Sequence, residues 1–423
     1  MMKSEKTEIT SKDKAEDTRY RILLASAELF TKHGFYATSL DMVGERIGLH
    51  KATLYYYVES KDEILYECLR LSFDRFKNIS EQLSDTSVPP LQRLRVFFEL
   101  FAQVQQGPFG RCLAMVGVQP LRKEKGGKIR EIQRQFDHMI RAVIKEGIED
   151  GTIRPFRPET ITAMLFGIFN IIPRWYHEDG PIELDDISNQ IFDMLSYGVS
   201  CDSRVMDIET NGQVLNPLIT IARPDGIDGV KNQYDRIIRE AAIKFADQDF
   251  DATSLSQIAK AVGISKPTLY HYIKSKDELL YLCLQQSFQN IDEAILILQD
   301  KNIPAFKRLK IFHDLLLHAQ NNIYGRCVNL VSPQALERSS SGSIREFQLR
   351  LDGALRAIYA DGIEAGDFRE MPSIILTTIV FGASNWVPRW FKANQKGGLQ
   401  YVIDTFYDVL VQGFATSKGR PHN

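Results

Sequence analysis

The sequence predicts an all-α protein made of two tandem helical units, and three observations carry that prediction. First, the chain repeats itself. TSL at 38–40 returns at 253–255, TLY at 53–55 at 268–270, and SKDE at 60–63 at 275–278, each offset by 215 residues. Residues 21–73 lie on 236–288 without a gap, with 25 of 53 positions identical. A period of this length excludes short solenoid repeats. Second, apolar residues recur at spacings of three and four, as in Ile129, Ile132, Phe136, Ile140 and Val143-Ile144, the stripe of an amphipathic helix. Third, alternating strand patterns are scarce.

Taken in order, the first unit reads as compact helices at 18–33, 39–47 and 50–57. Longer helices follow near 61–83, 89–106, 127–150, 158–175 and 185–200. Pro89-Pro90 and Gly107-Pro108 mark breaks, because proline cannot continue a helix from its interior. Gly147 and Gly151 read as a helix stop. The stretch 201–230 lacks helical periodicity and holds Gly212, Pro217, Pro224, Gly226 and Gly229, the signature of a linker. Within it, GQVLNPLITIA is a candidate extended segment. The expected organisation is a flexible arm (1–17), a compact head (18–66), a helical body (67–200), the linker, a second head (231–281), a second body (282–416) and a tail (417–423). The offset persists in the bodies. Gly110-Arg111-Cys112 matches Gly325-Arg326-Cys327, and Pro173-Arg174-Trp175 matches Pro388-Arg389-Trp390.

Composition bounds the function. The 423 residues are 44% hydrophobic and 25% charged, which excludes collagenous and disordered chains. A net charge of -2 means that any nucleic-acid contact must come from local clusters. Five scattered cysteines form neither a disulfide framework nor a CxxC zinc site. The charged N-terminus is no secretory signal, and no run approaches the ~18 apolar residues of a membrane helix. The expectation is a cytoplasmic protein with no membrane partner. The eight histidines are dispersed, without HExxH or GxSxG, so neither an enzyme nor a metal site is expected.

Residues 39–57, SLDMVGERIGLHKATLYYY, carry the chemistry of each head. Leu40, Val43 and Ile47 line one face of a short helix, Gly48 makes a turn, and Leu49 and Leu54 pack the next helix back. That is a helix-turn-helix pattern. Thr38 is the expected N-cap, with Asp41 three residues on, and its hydroxyl is placed to meet a phosphate. In the second helix His50, Lys51, Ala52 and Thr53 face outward if Leu54 faces in, offering donors, acceptors and a methyl to the major groove. Tyr55, Tyr56 and Lys61 are placed for the DNA backbone. The second copy keeps Gly263 and Leu269 and changes the reading edge to Ser265, Lys266, Pro267 and Thr268, followed by Tyr270 and His271. The two heads are therefore expected to prefer different half-sites.

The string AxxLFxxxGFxATSLDxVxxxxGLxKxTLYYYVxSKDEIL, at 25–65, resembles the DNA-binding domain of the TetR family of bacterial transcriptional regulators, and it occurs twice. The resemblance implies helical heads that read DNA and bodies that bind a ligand and dimerise. It places Thr38, His50, Lys51, Thr53, Tyr55, Tyr56 and Lys61 at DNA-facing positions, and Thr253, Ser265, Lys266, Thr268, Tyr270, His271 and Lys276 likewise. One departure is Asp249, where copy one has Gly34 after the first helix. A second is that most family members carry one unit and dimerise.

In the bodies, FGIFNIIPRWYHEDG and FGASNWVPRWFKANQ are similar to the penultimate body helix of the TetR branch controlling fatty-acid and sterol-ring degradation, whose effectors are acyl-CoA thioesters. That resemblance implies a small-molecule effector, an acyl-CoA or another hydrophobic compound, and no resident cofactor. The residues implicated are Arg111, Phe166, Asn170, Arg174 and Trp175, with Arg326, Phe381, Asn385, Trp386, Arg389 and Trp390. Each has a plainer reading as core, cap or ion pair. Copy two diverges at Asn394, Lys396 and Gly397-Gly398, which suggests an altered pocket. Cys112 and Cys327 read as buried structural thiols.

The duplication adds a mechanistic expectation. Two units in one chain can form an intrachain pseudo-dimer, with last helices (185–200 and 399–416) packing together and two heads on one operator, about 34–36 Å apart. The alternatives are a homodimer with four heads and a ligand-binding or structural protein with non-functional heads. The family resemblance favours a repressor released by its effector, working at the bacterial nucleoid.

Overall fold

The structure, a computed structural model, describes residues 11–118, 120–177, 179–201, 232–248, 250–287, 291–330, 343–392 and 395–419. The linker expected at 201–230 lies almost wholly outside these residues, as do Asp249 and Asn394. All named elements are helical. In the first copy they are α1 (Ser11–His33), α2 (Leu40–Ile47), α3 (Lys51–Tyr57), α4 (Lys61–Asp74), α5 (Lys77–Ser84), α6 (Pro90–Gln106), α7 (Pro108–Met115), α8 (Lys123–Glu149), α9 (Pro158–Trp175) and α10 (Leu184–Tyr197). The second copy repeats them in order as α11 (Gln233–Gln248), α12 (Leu255–Val262), α13 (Lys266–Tyr270), α14 (Lys276–Ser287), α15 (Ile291–Gln299), α16 (Ala305–Asn321), α17 (Ile323–Leu330), α18 (Ser343–Glu364), α19 (Ser373–Trp390) and α20 (Gly398–Gln412). A 3-10 turn at Ser417–Gly419 follows.

Four expectations need correction. The arm expected over 1–17 is helical from Ser11, where α1 begins. The helix expected over 61–83 breaks at Arg75, giving α4 and α5. The long body helix begins at Lys123 rather than near 127. Gly107-Pro108 is a break followed at once by α7, because proline at the first helical turn lacks only an N–H that would be unpaired there anyway. The glycine of each GRC motif has a packing reason. A Cβ at buried Gly110 would run into the carbonyl of Val104, and one at Gly325 into that of Ala319, so only glycine lets the chain fold back this closely.

The chain divides into two compact units, 1–81 with 103–136, and 82–102 with 137–423. In the first, α1–α4 close over Ile22, Phe30, Leu54, Ile64, Leu65 and Cys68, all buried, and α7 packs against α1 and α4. In the second, the corresponding head core is Ile237, Phe245, Ile258, Leu269, Leu280 and Cys283, and α17 packs against α11 and α14.

The second unit also holds the pairing of α9 and α10 with α19 and α20. Gly167 and Gly382, counterparts in the repeat, sit at the close approach of α9 and α19. A Cβ on Gly382 would lie 2.7 Å from Ile168 Cα. The contacts are reciprocal. Arg154 forms a two-pronged ion pair with Asp408 (3.0 and 2.8 Å), and its counterpart Arg369 bonds Asp193 at 2.8 Å. Val199 N–H donates to Leu410 O and Phe414 N–H to Leu195 O, both at 2.8 Å. Isolated bridges join Ile153 to Ala415 and Ser200 to Phe368. The penultimate helices, rather than the last helices alone, form this association. Closely spaced small residues on α9 and α19 allow it.

Candidate nucleic-acid interface and effector bodies

In head one, α2 starts at Ser39, whose hydroxyl accepts from Met42 N–H at 3.2 Å, and ends at Gly48 in the left-handed conformation (φ 73°). A left-handed residue at this position turns the chain sharply into α3 at no steric cost when it is glycine. Leu54 is fully buried, so His50, Lys51, Ala52, Thr53, Tyr55 and Tyr56 are turned outward and are exposed. Tyr56 is the extreme case at 82% exposure. Head two repeats the arrangement. Ser254 and Gln257 form a capping box on α12, Gly263 takes φ 80°, and Leu269 is buried. Ser265 caps α13 through Thr268 N–H at 3.1 Å. Ser265, Lys266, Pro267, Tyr270 and His271 are exposed, while Thr268 is half-buried.

Four expected contact residues occupy other roles. Thr38 is not the N-cap. It is 1% exposed, and its hydroxyl donates to Leu29 O and Gly34 O. Thr253 is equally buried and donates to Lys244 O. The exposed cap hydroxyls are those of Ser39 and Ser254, one residue on. The sequence hides this difference, because TS offers two good capping residues in a row. Lys61 and Lys276 are also engaged inside the heads. Lys61 Nζ donates to Phe35 O (2.8 Å) and Thr38 O (2.9 Å) and lies 4.4 Å from the centre of the Phe35 ring. Lys276 Nζ makes the same contacts with Phe250 O, Thr253 O and the Phe250 ring. Burial lowers the Lys61 pKa. Both ammonium groups satisfy carbonyls of the loop between the first two helices of their head, so they hold that loop in place.

The expected effector residues lie on several elements. Arg111 is half-buried on α7 and donates to Gln106 Oε1 at 2.9 Å. Arg326 is exposed on α17. On α9 and α19, Phe166 and Phe381 are half-buried, and Asn170 bonds its own helix at Phe166 O. Asn385 accepts from Gln320 Nε2. Arg389 stacks over Trp386 at 5.4 Å. The indole N–H groups of Trp175 and Trp390 are buried and have no hydrogen-bond partner among the described residues. Solvent reaches Arg174, yet the protein crowded around it and the like charge of Arg389 pull its pKa down to about 10. Arg174 therefore stays cationic at neutral pH. The buried thiols of Cys112 and Cys68 are poor nucleophiles, since burial pushes Cys112 up to about 12 and Cys68 well above its usual range.

The two body interiors differ in a way sequence reasoning missed. Between α6, α9 and α10, the ring of Phe169 lies 4.2 Å from Phe98 and 4.4 Å from Phe101, and Phe192 lies 5.6 Å from Phe98. The counterparts in the second copy are Ser384, His313, Leu316 and Tyr407. Ser384 Oγ and His313 Nδ1 are buried without partners among the described residues. Burial, with the Lys310 charge second, drives the His313 pKa down to about 3. Position-by-position comparison of the repeats would have exposed this replacement of four phenylalanines by Ser, His, Leu and Tyr.

Among the described residues no cluster of His, Cys, Asp and Glu could hold a metal, and no helix is long and apolar enough to cross a membrane. Residues 22–68 and 237–281 match the family described as bacterial regulatory proteins, tetR family, and 87–199 and 305–414 match the tetracyclin repressor-like C-terminal domain. The HTH-type transcriptional repressor KstR2 of Mycolicibacterium smegmatis is 22% identical over 197 residues, 43% of this chain and 90% of its own. The fatty acid metabolism regulator protein of Bacillus subtilis is 22% identical over 184 residues, 42% of this chain and 94% of its own. Among solved structures, the TetR family transcriptional regulator PfmR from Thermus thermophilus is 28% identical, covering 41% of this chain and 96% of that one, with a TM-score of 0.38.

Proposed function

The chain belongs to the TetR family of bacterial regulatory proteins, in two copies, and we propose that it is a repressor working as an intrachain pseudo-dimer. The observation that carries this reading is the reciprocal pairing of α9 and α10 with α19 and α20. The Arg154–Asp408 ion pair and the backbone-to-backbone bonds there have counterparts 215 residues away, as a two-fold interface between identical chains would have. Joining both partners in one chain raises their effective concentration, so the pairing is independent of protein concentration. In this reading the exposed side chains His50, Lys51, Thr53, Tyr55 and Tyr56 meet one half-site. Ser265, Lys266, Thr268, Tyr270 and His271 meet the other. Thr38, Thr253, Lys61 and Lys276 hold the loops that present them.

The effector in this reading is a hydrophobic or acyl-CoA-type compound. Phe166, Asn170, Trp175, Phe381, Asn385, Trp386 and Trp390 supply apolar surface. Arg111, Arg174, Arg326 and Arg389 supply cationic groups suited to phosphates. The names of the relatives, a repressor and a fatty acid metabolism regulator, support the same class. Effector binding to a state with displaced heads lowers DNA affinity by linkage.

Size-exclusion chromatography with light scattering, with and without an operator duplex obtained by selection, tests the assembly. One 48.3 kDa chain per duplex is expected. A particle of twice that mass without DNA would replace the pseudo-dimer with a four-headed dimer. An acyl-CoA panel that leaves DNA binding unchanged at every chain length would remove the effector class.

A further inference from the structure

The two heads share a scaffold but present different charge to their surroundings. Over 39–61, Arg46, Lys51 and Lys61 are balanced by Asp41, Glu45 and Glu59, for a net charge of zero. Over the equivalent 254–276 there are four lysines and no carboxylate, for a net charge of +4. The exchanges are specific. Asp41 becomes Ser256, Glu45 becomes Lys260, and Glu59 becomes Lys274. All six side chains lie at exposed positions.

The pairing within each head widens the difference. In head one Lys51 Nζ is 2.8 Å from Asp41 Oδ2, and Arg46 is 3.2 Å from Glu28. Lys61 is spent on loop carbonyls. Each exposed cation of that reading surface therefore already has an acceptor. In head two Lys276 is spent in the same way, but Lys260, Lys266 and Lys274 have no carboxylate partner among the described residues. An unpaired lysine binds phosphate by releasing condensed counterions. A lysine held by a neighbouring carboxylate must first give up that partner, and the carboxylate itself then repels the backbone.

We infer that the second head is the electrostatic anchor of the chain on DNA, with Lys260, Lys266 and Lys274 supplying the phosphate attraction, while the first head reads its half-site through a surface with no net charge. The inference rests on the reading of both heads as DNA surfaces. It goes beyond that reading in giving them unequal roles. The second head makes most of the sequence-independent contact and positions the chain. The first head adds discrimination through His50, Thr53 and the tyrosines at little cost in non-specific affinity.

The test is the salt dependence of binding, measured by fluorescence anisotropy on the full chain with a labelled duplex of random sequence, between about 50 and 200 mM salt. The combined variant Lys260→Gln, Lys266→Gln and Lys274→Gln is expected to flatten the slope of log affinity against log salt by about 2.7, at about 0.9 per phosphate contact. Asp41→Ser, which frees Lys51, is expected to steepen it by about 0.9. Unchanged melting temperatures establish that both variants fold. A change below about 1 in the triple variant overturns the anchor assignment while leaving DNA binding intact. An unaltered slope in Asp41→Ser overturns the pairing with Asp41 as what withholds Lys51 from phosphate. If the unmodified chain shows no salt-dependent binding at all, the anchor falls together with the reading of the heads as DNA surfaces.

Discussion

Replacing Gly382 with alanine isolates the close approach of α9 and α19. Its Cβ would stand 2.7 Å from Ile168 Cα and 3.0 Å from Ile171 Cγ2, where ordinary contact begins near 3.4 Å. The helices must therefore part by about 0.7 Å, because the nearer obstacle is backbone and cannot rotate away. A gap of that size forfeits roughly a quarter to a half of the dispersion energy along the seam. Overpacking of this kind costs about 1–3 kcal/mol, against about 1 kcal/mol gained from the better helix propensity of alanine. The net expectation is a loss of up to about 2 kcal/mol. Gly353 on α18 is the control, since it is exposed, helical and open to a Cβ. Gly353→Ala is expected to stabilise by about 0.5–1 kcal/mol. Urea denaturation followed by tryptophan fluorescence reads both variants. All three tryptophans, Trp175, Trp386 and Trp390, lie on α9 and α19. The two glycines should thus give shifts of opposite sign. Stabilisation by Gly382→Ala equal to that of Gly353→Ala would refute the tight seam.

Three further outcomes follow from the interiors and the loops. Phe169→Ala removes a fully buried ring and should cost about 3–5 kcal/mol, whereas Ser384→Ala removes an unpartnered hydroxyl and should cost nothing measurable in the same urea titration. His313 is held neutral in the folded state down to about 3, while an unfolded histidine protonates below its ordinary 6.5. Its contribution is therefore present above 6.5 and is lost as pH falls towards 3, by up to about 1.4 kcal/mol per pH unit. His313→Phe should flatten that acid dependence between pH 6.5 and pH 5, and an unaltered profile would contradict it. Lys61→Met leaves the carbonyls of Phe35 and Thr38 without their charged donor, which should cost head one about 1–3 kcal/mol. Hydrogen exchange at the amides of α2 and α3 would register it, and unchanged protection would show the lysine to be dispensable there.

The sequence by itself determined the helical class, the tandem copies and the helix-turn-helix surfaces. These are local or repeated properties: a 3.6-residue stripe, a glycine at each turn, and an identical string met twice. It also placed Leu54 and Leu269 inward, and with them the exposed faces of α3 and α13. Tertiary structure alone decided which of two adjacent hydroxyls caps α2 and α12, because Thr38 and Ser39 are equivalent until the chain packs. It likewise directed Lys61 and Lys276 into the heads, since the carbonyls they satisfy lie more than twenty residues away. Pairing through Gly167 and Gly382, with Arg154 meeting Asp408 more than 250 residues on, had no local signal at all. Such contacts depend on two surfaces meeting. Periodicity reports only which side of one helix is apolar, and not what that side is pressed against.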